Sequence, residues 1–432
     1  MNRIDATTPV VVFTTSVDPL LHSPLGVARS LGRLGVPVHV AQPGRRSPTA
    51  ASRYVTRTFT LVPRGKDDGA LVEQLVDVAD AVGGRPVLVP VDDEAALLLD
   101  DFEDRLAEHY RFPRRPPGLA ARLADKRALD QLCEQSGVPR PRSSFPADRD
   151  DLRASASRFP VVVKAVDPLL LRRSPGARSV TIADDEEQLL AAYELLAAAG
   201  TGNVMVQEYV PGGPQTIWMF NGYFDASSRC RFGATGVKLR QCLPGTGPTS
   251  LGETRASAQV RRDAERLLGA LGYTGIVDLG FRYDARDGAY KLLDVNPRIG
   301  GTFRLFTARS GLDVVRALYL DLTRQPVPEG PDHAVPDRQR WQDEPHDLLA
   351  QGIYRARGEA TWPQWLASMR GVDERAWCAA DDLVPFALMC RHAAMRSRRG
   401  LTLIGAGAGA LRRPRGPAGD ALIAQGTAAA RW

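Results

Sequence analysis

The sequence predicts an α/β protein: an N-terminal doubly wound parallel-sheet domain, then a two-lobed α+β domain. Three observations carry this. Through residue 115, short β-branched runs alternate with capped helical patterns, the order of βαβ units. The Pro- and Arg-rich "RFPRRPPG" (111–118) ends that alternation. Beyond it come longer runs joined by turns, among them "GIVDLGFRYDARDGAYKLLDVNPR" (275–298), with Asp-Gly in its loop.

Taken in order, "VVVFTT" (10–15) reads as a strand. The helix "SPLGVARSLGRLG" (23–35) follows, with Ser23 as N-cap, Pro24 in its first turn and Gly35 at its end. "VPVHVA" (36–41) is the next strand, "DDGALVEQLVDVADAVGG" (67–84) a helix, "PVLVPV" (86–91) a strand and "DDEAALLLDDF" (92–102) a helix. "DKRALDQLCEQSGVPRP" (125–141) is a helix stopped by Gly137 and Pro139. "FPVVVKAV" (159–166) is a strand carrying a lysine, "DDEEQLLAAYELLAAAG" (184–200) a helix with acids in its first turn, and "VMVQEYVPGG" (204–213) a strand running into a turn. "IWMFNGYFD" (217–225) and "CRFGATGVKLRQ" (230–241) form an antiparallel pair, "RASAQVRRDAERLLGALG" (255–272) is helical, and "SGLDVVRALYLDLT" (310–323) is a capped helix.

The expected division is residues 1–115, then 116–325 with lobes at about 140–210 and 211–325, then an extension at 326–404 and a mobile tail at 405–432. Five of the six tryptophans lie beyond residue 340, and Trp341, Trp362, Trp365 and Trp377 read as packing anchors.

With 432 residues and 44% hydrophobic content, the chain can bury sizeable cores. No apolar run is long enough to span a bilayer. Five cysteines without a CxxC pair argue against a disulfide framework or a zinc site, so a reduced, cytoplasmic protein is expected. The net charge of +6 suits phosphate-bearing small molecules, and no nucleic-acid motif accompanies it. No GxGxxG follows the first strand and no GxxxxGK[ST] occurs anywhere, so a nucleotide would need another kind of site.

"YKLLDVNPRIGG" (290–301) offers one. Alternation places residues 290, 292, 294 and 296 on one strand face, with Asp294 and Asn296 about 7 Å apart. A carboxylate and an amide carbonyl are hard-oxygen donors suited to Mg²⁺. Arg298 could then hold a phosphoryl group in a bidentate fork. The plain alternative is a strand end that caps a turn. Lys164 resists a plain explanation, since a lysine on an apolar strand needs a counter-charge.

Four motifs in order resemble the ATP-grasp superfamily of carboxylate–amine ligases over residues 5–325: "DK" (125–126), "PVVVKAV" (160–166), "VQEYVPGG" (206–213) and "LLDVNPR" (292–298). The resemblance implies a pre-ATP-grasp domain followed by a two-lobed ATP-grasp domain. It implies an acyl phosphate made from a substrate carboxylate and ATP, then captured by an amine to form an amide or peptide bond. Lys126 and Lys164 would contact phosphates, and Gln207, Glu208, Tyr209 and Val210 would hold adenine and ribose. Lys238 or Arg240 would face the γ-phosphate or the substrate carboxylate. Asp278, Asp294 and Asn296 would hold Mg²⁺, with Mn²⁺ as a substitute, and Arg298 would steady the acyl phosphate. Expected partners are a small-molecule carboxylate and amine, with no nucleic acid and no membrane, in a monomer or homodimer. The alternatives are a carboxylase or thiol ligase, and a regulatory protein that holds ATP without turnover.

Two departures from the pattern matter. Gly280 stands where relatives tend to carry a second acidic ligand, and Asp278 is the nearest acid. If the hairpin loop is the five residues "ARDGA", Tyr290 pairs with Asp284, and Asp278 faces Asn296; a two-residue "DG" turn would point Asp278 the other way. The second departure is "DPLLLRRSPGARS" (167–179), three arginines where relatives often have a glycine-rich loop. His22, at the end of the first strand, could border an acceptor site or be a plain loop histidine. Residues 240–254 are expected to form a specificity loop.

Overall fold

The computed structural model describes residues 4–407 apart from 45–46, 63–66, 156–157, 168–178 and 199–201. The Arg-rich stretch expected as a phosphate loop and the tail beyond 407 lie outside the described residues.

The first layer contains β1 (Val10–Phe13), α1 (Ser23–Gly32), β2 (Val38–Pro43), β3 (Arg57–Leu61), α2 (Asp68–Val82), β4 (Val87–Pro90), α3 (Asp93–Asp101) and α4 (Glu103–Ala107). Its strands are all parallel, in the order β3-β2-β1-β4. Alternate residues feed two cores, as a doubly wound sheet requires. Val10, Val12, Val38 and Val40 pack with α1, whereas Val11, Phe13, Ala41 and Leu88 pack with α2 and α3. Strand β3 has no apolar pattern because it is a half-exposed edge. The cap of α1 is His22 rather than Ser23, which is already helical.

The second layer contains α5 (Leu119–Ala124), α6 (Lys126–Gln135), β5 (Ser143–Ser144), α7 (Arg149–Ser155), β6 (Val161–Ala165), β7 (Val180–Ala183), α8 (Glu186–Ala197) and β8 (Val204–Glu208). Its sheet is antiparallel, in the order β5-β8-β6-β7. Asp125 caps α6 by accepting the Ala128 N–H at 2.7 Å, which fixes Lys126 at the first helical position.

The largest sheet runs β13-β12-β9-β10-β11-β14-β15. It comprises β9 (Ile217–Phe224), β10 (Cys230–Gln241), β11 (Thr249–Thr254), β12 (Gly275–Asp284), β13 (Ala289–Asn296), β14 (Arg340–Gln342) and β15 (Glu374–Arg375). The helices here are α9 (Ala258–Ala270), α10 (Val314–Leu322), α11 (Glu344–Ala356), α12 (Trp362–Ser368) and α13 (Val384–Gly407). Two expectations change. The last 6 residues of the expected specificity loop, Thr249–Thr254, are the fully buried strand β11. The segment after 326 is no mere appendage, because β14 pairs with β11 and β15 with β14. Trp341 and Trp377 are buried in the core shared with α1 and α10, while Trp362 stays 37% exposed. Arg29 of α1 ties this segment to the first layer by bonding Asp382 and the carbonyls of Ala376 and Trp377. No helix among the described residues is long and apolar enough to cross a membrane.

Candidate active site

The β12–β13 hairpin carries the donor atoms, and its register settles the question left open by the sequence. Tyr283 pairs with Tyr290 and Asp284 with Ala289, so the loop is one residue shorter than "ARDGA". A bulge between Leu292 and Asp294 absorbs that residue, and Gly280 still faces Asp294 and Asp278 still faces Asn296. The bulge also corrects the face assignment. Tyr290 and Leu292 join the hydrophobic core with Val295, while Leu293 and Asp294 line the cleft. Two adjacent cleft residues are possible only where the alternation is broken.

Asp278, Asp294 and Asn296 meet there. The Asn296 amide nitrogen lies 3.3 Å from Asp294 Oδ2 and 3.4 Å from Asp278 Oδ2, and Asn221 Nδ2 donates to Asp278 Oδ1 at 2.8 Å. Gly280 and Gly300 make the space. A Cβ on Gly280 would sit 2.1 Å from Asp294 Oδ1, and one on Gly300 would sit 2.6 Å from Asp278 Cγ. Gly280 is therefore the condition for the Asp294 rotamer, not merely a missing acid. Desolvation pushes the Asp278 carboxyl up to about 6, with Arg298 and Lys238 pulling it down and Asp294 adding to the rise. Two crowded carboxylates fit a hard divalent cation, and the Asn296 amide, which here turns its nitrogen to them, would offer its oxygen after a flip.

A cleft of about 280 Å³ opens on this edge, between the second layer and the large sheet. Lys126, Lys164, Gln207, Glu208, Tyr209, Val210, Lys238 and Asp294 all line it. Lys164 is 8% exposed, and no carboxylate among the described residues comes within ion-pair distance. Desolvation lowers its ammonium to about 8, helped by Lys126 and Arg282 and opposed by Asp294. Burial likewise draws Lys238 down, against Asp294 and Asp278. Lys238 gives one bond to the Gly247 carbonyl at 3.4 Å, but the Lys164 ammonium, buried without a carboxylate partner, calls for an anion.

The strand after the cleft behaves differently. Glu208 accepts from Arg286 at 2.7 Å and from the Arg142 N–H at 3.2 Å, with Lys291 at 3.8 Å. Its place at the cleft rim is as expected, but its carboxylate is already occupied. Arg298 is also occupied: its Nε donates to Asp93 Oδ1 at 2.7 Å, and one NH group lies 3.5 Å from Asn296 Oδ1. Arg298, Asp278 and Asn296 stand behind the cleft wall beside Asp294, whereas Arg240 turns away from it altogether. Register shifts flank it in β10. Its guanidinium forks onto Asp347 of α11 at 2.6–2.7 Å and bonds Ser368. Asp347, fully buried, also accepts from Ser250, Gln342 and Trp365.

Sequence reasoning missed Arg282, Gln241, Asn221 and Gly300. Arg282 lines the cleft with its Cζ 5.4 Å from the Tyr209 ring centroid, and its Nε finds no partner among the described residues. Gln241 Oε1 also lacks one. The alternation of β12 could have found Arg282, since Asp278, Gly280 and Arg282 share a face. Cys242 is inert, its thiol pushed up to about 12 by burial.

Comparison with known proteins places this fold. No family model matches the chain. A D-aspartate ligase of Enterococcus faecium is 23% identical over 287 residues, 62% of this chain and 67% of the relative. The L-amino acid ligase of Bacillus licheniformis superposes with a TM-score of 0.56 at 15% identity, over 74% of this chain and 75% of that one. A biotin carboxylase–β,γ-ATP complex of Campylobacter jejuni gives 0.58 at 14% identity, over 77% and 74%. The fold is the ATP-grasp fold.

Proposed function

We propose that the protein is an ATP-dependent ligase that activates a small-molecule carboxylate as an acyl phosphate and joins it to an amine, both partners being of amino-acid type. The observation that carries this is Lys164: a buried ammonium without a carboxylate partner, facing Asp294 across a cleft with Lys126, Lys238 and Arg282 around it. A polyphosphate satisfies those cations and brings the counter-charge that the cleft lacks. The ligase names of the relatives in Enterococcus and Bacillus support the amide-forming outcome.

Asp278, Asp294 and Asn296 would hold Mg²⁺, or Mn²⁺ in its place. When bound, the ion would offset the charge that develops on phosphoryl transfer. Lys126, Lys164 and Lys238 hold the phosphates, and Arg282 adds a stacked cation beside Tyr209. The backbone from Gln207 to Val210 bounds the adenine end. Arg298, tethered by Asp93, keeps a guanidinium at the metal edge. Phosphoryl transfer needs positioning and charge more than a protein nucleophile, and the cleft supplies both. Five unpaired cysteines support a reducing, cytoplasmic setting.

The test combines protein, Mg²⁺ and ATP with amino-acid pools, following ADP, phosphate and AMP. ADP and phosphate that depend on the pool, and are lost in Asp294→Asn, are expected. AMP and pyrophosphate would refute the acyl-phosphate route. ADP release with bicarbonate alone would mark a carboxylating enzyme instead.

A further inference from the structure

The connection from β10 to β11, residues 242–248, is built to one shape. Its ends are tied where the Cys242 N–H donates to the Pro248 carbonyl at 3.0 Å, and its turn where the Gly247 N–H donates to the Leu243 carbonyl at 2.8 Å. Leu243 has a φ of 67°, a left-handed conformation that a leucine adopts only where its surroundings hold it. A Cβ on Gly247 would lie 1.3 Å from the Cys242 carbonyl oxygen, so only glycine fits there. The tip reaches the opposite wall of the cleft. A Cβ on Gly245 would meet Ile182 Cδ1 of β7 at 3.3 Å, and Gly245, Thr246 and Ile182 all line the cleft. The connection is therefore a strap from the large sheet to the second layer.

Side chains of β10 hold the strap by a single atom. The Gly247 carbonyl accepts from Gln241 Nε2 at 2.7 Å and from Lys238 Nζ at 3.4 Å. Both donors line the cleft. The distances rank them: the first is a full hydrogen bond, and the second sits at the outer limit of one. Gln241 is 3% exposed, and the register of β10 shifts between Arg240 and Gln241. That irregularity sends Arg240 to Asp347 and Gln241 to the cleft, although they are neighbours in the chain. Lys238 can therefore turn to a phosphate while Gln241 keeps the strap in place.

We propose that Gln241 is the positioning residue of a water seal: through the Gly247 carbonyl it holds the strap across the cleft, and the closed strap reserves the acyl phosphate for the amine. This rests on the ligase reading above. In the amide-forming step the amine nitrogen attacks the acyl carbon, a C–N bond forms, and the bond from that carbon to the phosphate oxygen breaks. Its electron pair leaves on phosphate, which also takes one nitrogen proton. Water can attack the same carbon, returning the carboxylate and phosphate and releasing one proton to solvent. ATP is then consumed without product. Closure over a reactive intermediate removes that competing reaction. The seal thus decides between two nucleophiles, an amine of amino-acid type and water.

The test measures ADP, amide and hydroxamate on the full chain, with Mg²⁺, ATP and a pool of L-amino acids with D-aspartate and D-alanine. In wild type, ADP should exceed amide only slightly. Gln241→Leu removes the tether, and the excess ADP per amide is expected to rise about 2- to 12-fold, the shift in strap opening that one neutral hydrogen bond sustains. Hydroxylamine should capture that excess as hydroxamate, because the leak is at the acyl carbon and not at the γ-phosphate. Gly247→Ala forces the strap open while leaving Gln241 and Lys238 unchanged. It should raise the same ratio, and it decides the matter if Gln241→Leu loses its near-UV circular dichroism. A purely structural Gln241 would lower ADP and amide together. That result, an unchanged ratio, or excess ADP that hydroxylamine does not capture would overturn the assignment. If the wild-type protein releases no ADP with any pool, the ligase reading fails and the seal falls with it; a wild-type protein that couples ADP to amide keeps that reading alive whatever Gln241 does.

Discussion

Replacing Lys164 with methionine removes a buried, unpaired charge from the cleft wall. Methionine is apolar, flexible and of similar length, so β6 keeps its packing. The folded-state ammonium is lowered from 10.5 to about 8, which corresponds to about 3 kcal/mol of destabilisation carried by the charged form. The sign follows from proton counting. Below pH 8 the lysine is protonated in both states, and the full cost is present. Between about 8 and 10.5 the unfolded chain binds more protons than the folded one, so wild-type stability rises with pH. Above 10.5 both states are neutral and the cost is gone. In denaturant unfolding without nucleotide, Lys164→Met is therefore expected to be more stable than wild type at pH 7, by up to about 3 kcal/mol before any loss of packing. The gap should close as pH climbs from 8 to 10.5. ATP with Mg²⁺ should cancel most of the gap, because a ligand at a hundredfold its Kd adds about 2.7 kcal/mol to the protein that binds it. The mutant should also lose ATP turnover. A mutant less stable than wild type at pH 7, or a gap that ignores pH, would refute the view of Lys164 as a strained, ligand-seeking cation.

Other outcomes follow from the same geometry. Gly280→Ala puts a Cβ 2.1 Å from Asp294 Oδ1, so unfolding should show a loss of about 1–3 kcal/mol, and turnover should drop with it as the carboxylate turns away. Arg240→Met should cost about 3–5 kcal/mol, since it strands the buried Asp347 charge; its KM for ATP should stay near wild type if the protein is assayed below its melting temperature. The Arg240→Met and Asp347→Asn changes should be strongly non-additive in a double-mutant cycle, because each removes the other's partner. Arg282→Met should weaken ATP binding, measured calorimetrically, without altering the hairpin's stability by more than about 1 kcal/mol.

Much of the site was legible because the motifs are local. Lys126 sits at the first position of a helix that Asp125 caps, Lys164 sits on an apolar strand, and Asp294 and Asn296 end another strand. Each of those placements needs only a few neighbouring residues. The errors came where a placement depended on counting through an irregularity. One residue misjudged in the hairpin loop was offset by one residue in the bulge, so the Asp278–Asn296 pairing was anticipated although Tyr290 was assigned to the wrong face. Arg240 failed for a related reason: β10 is irregular on both sides of it, and its partner Asp347 lies 107 residues away.

The sequence by itself determined the class of the layers, the order of the motifs and most of the cations and carboxylates around the cleft. Hydrophobic period and capping act over a few residues, and a strand or helix start declares itself at that range. Tertiary structure alone decided that residues after 326 complete the large sheet. It alone decided that Asp347 takes Arg240, that Asp93 takes Arg298 and that Asp343 joins His22 to His346. Those are contacts between segments far apart in the chain, selected by which charges must be matched once they are buried. A residue's chemistry can be read from its letter, but its partner is fixed only when the layers close.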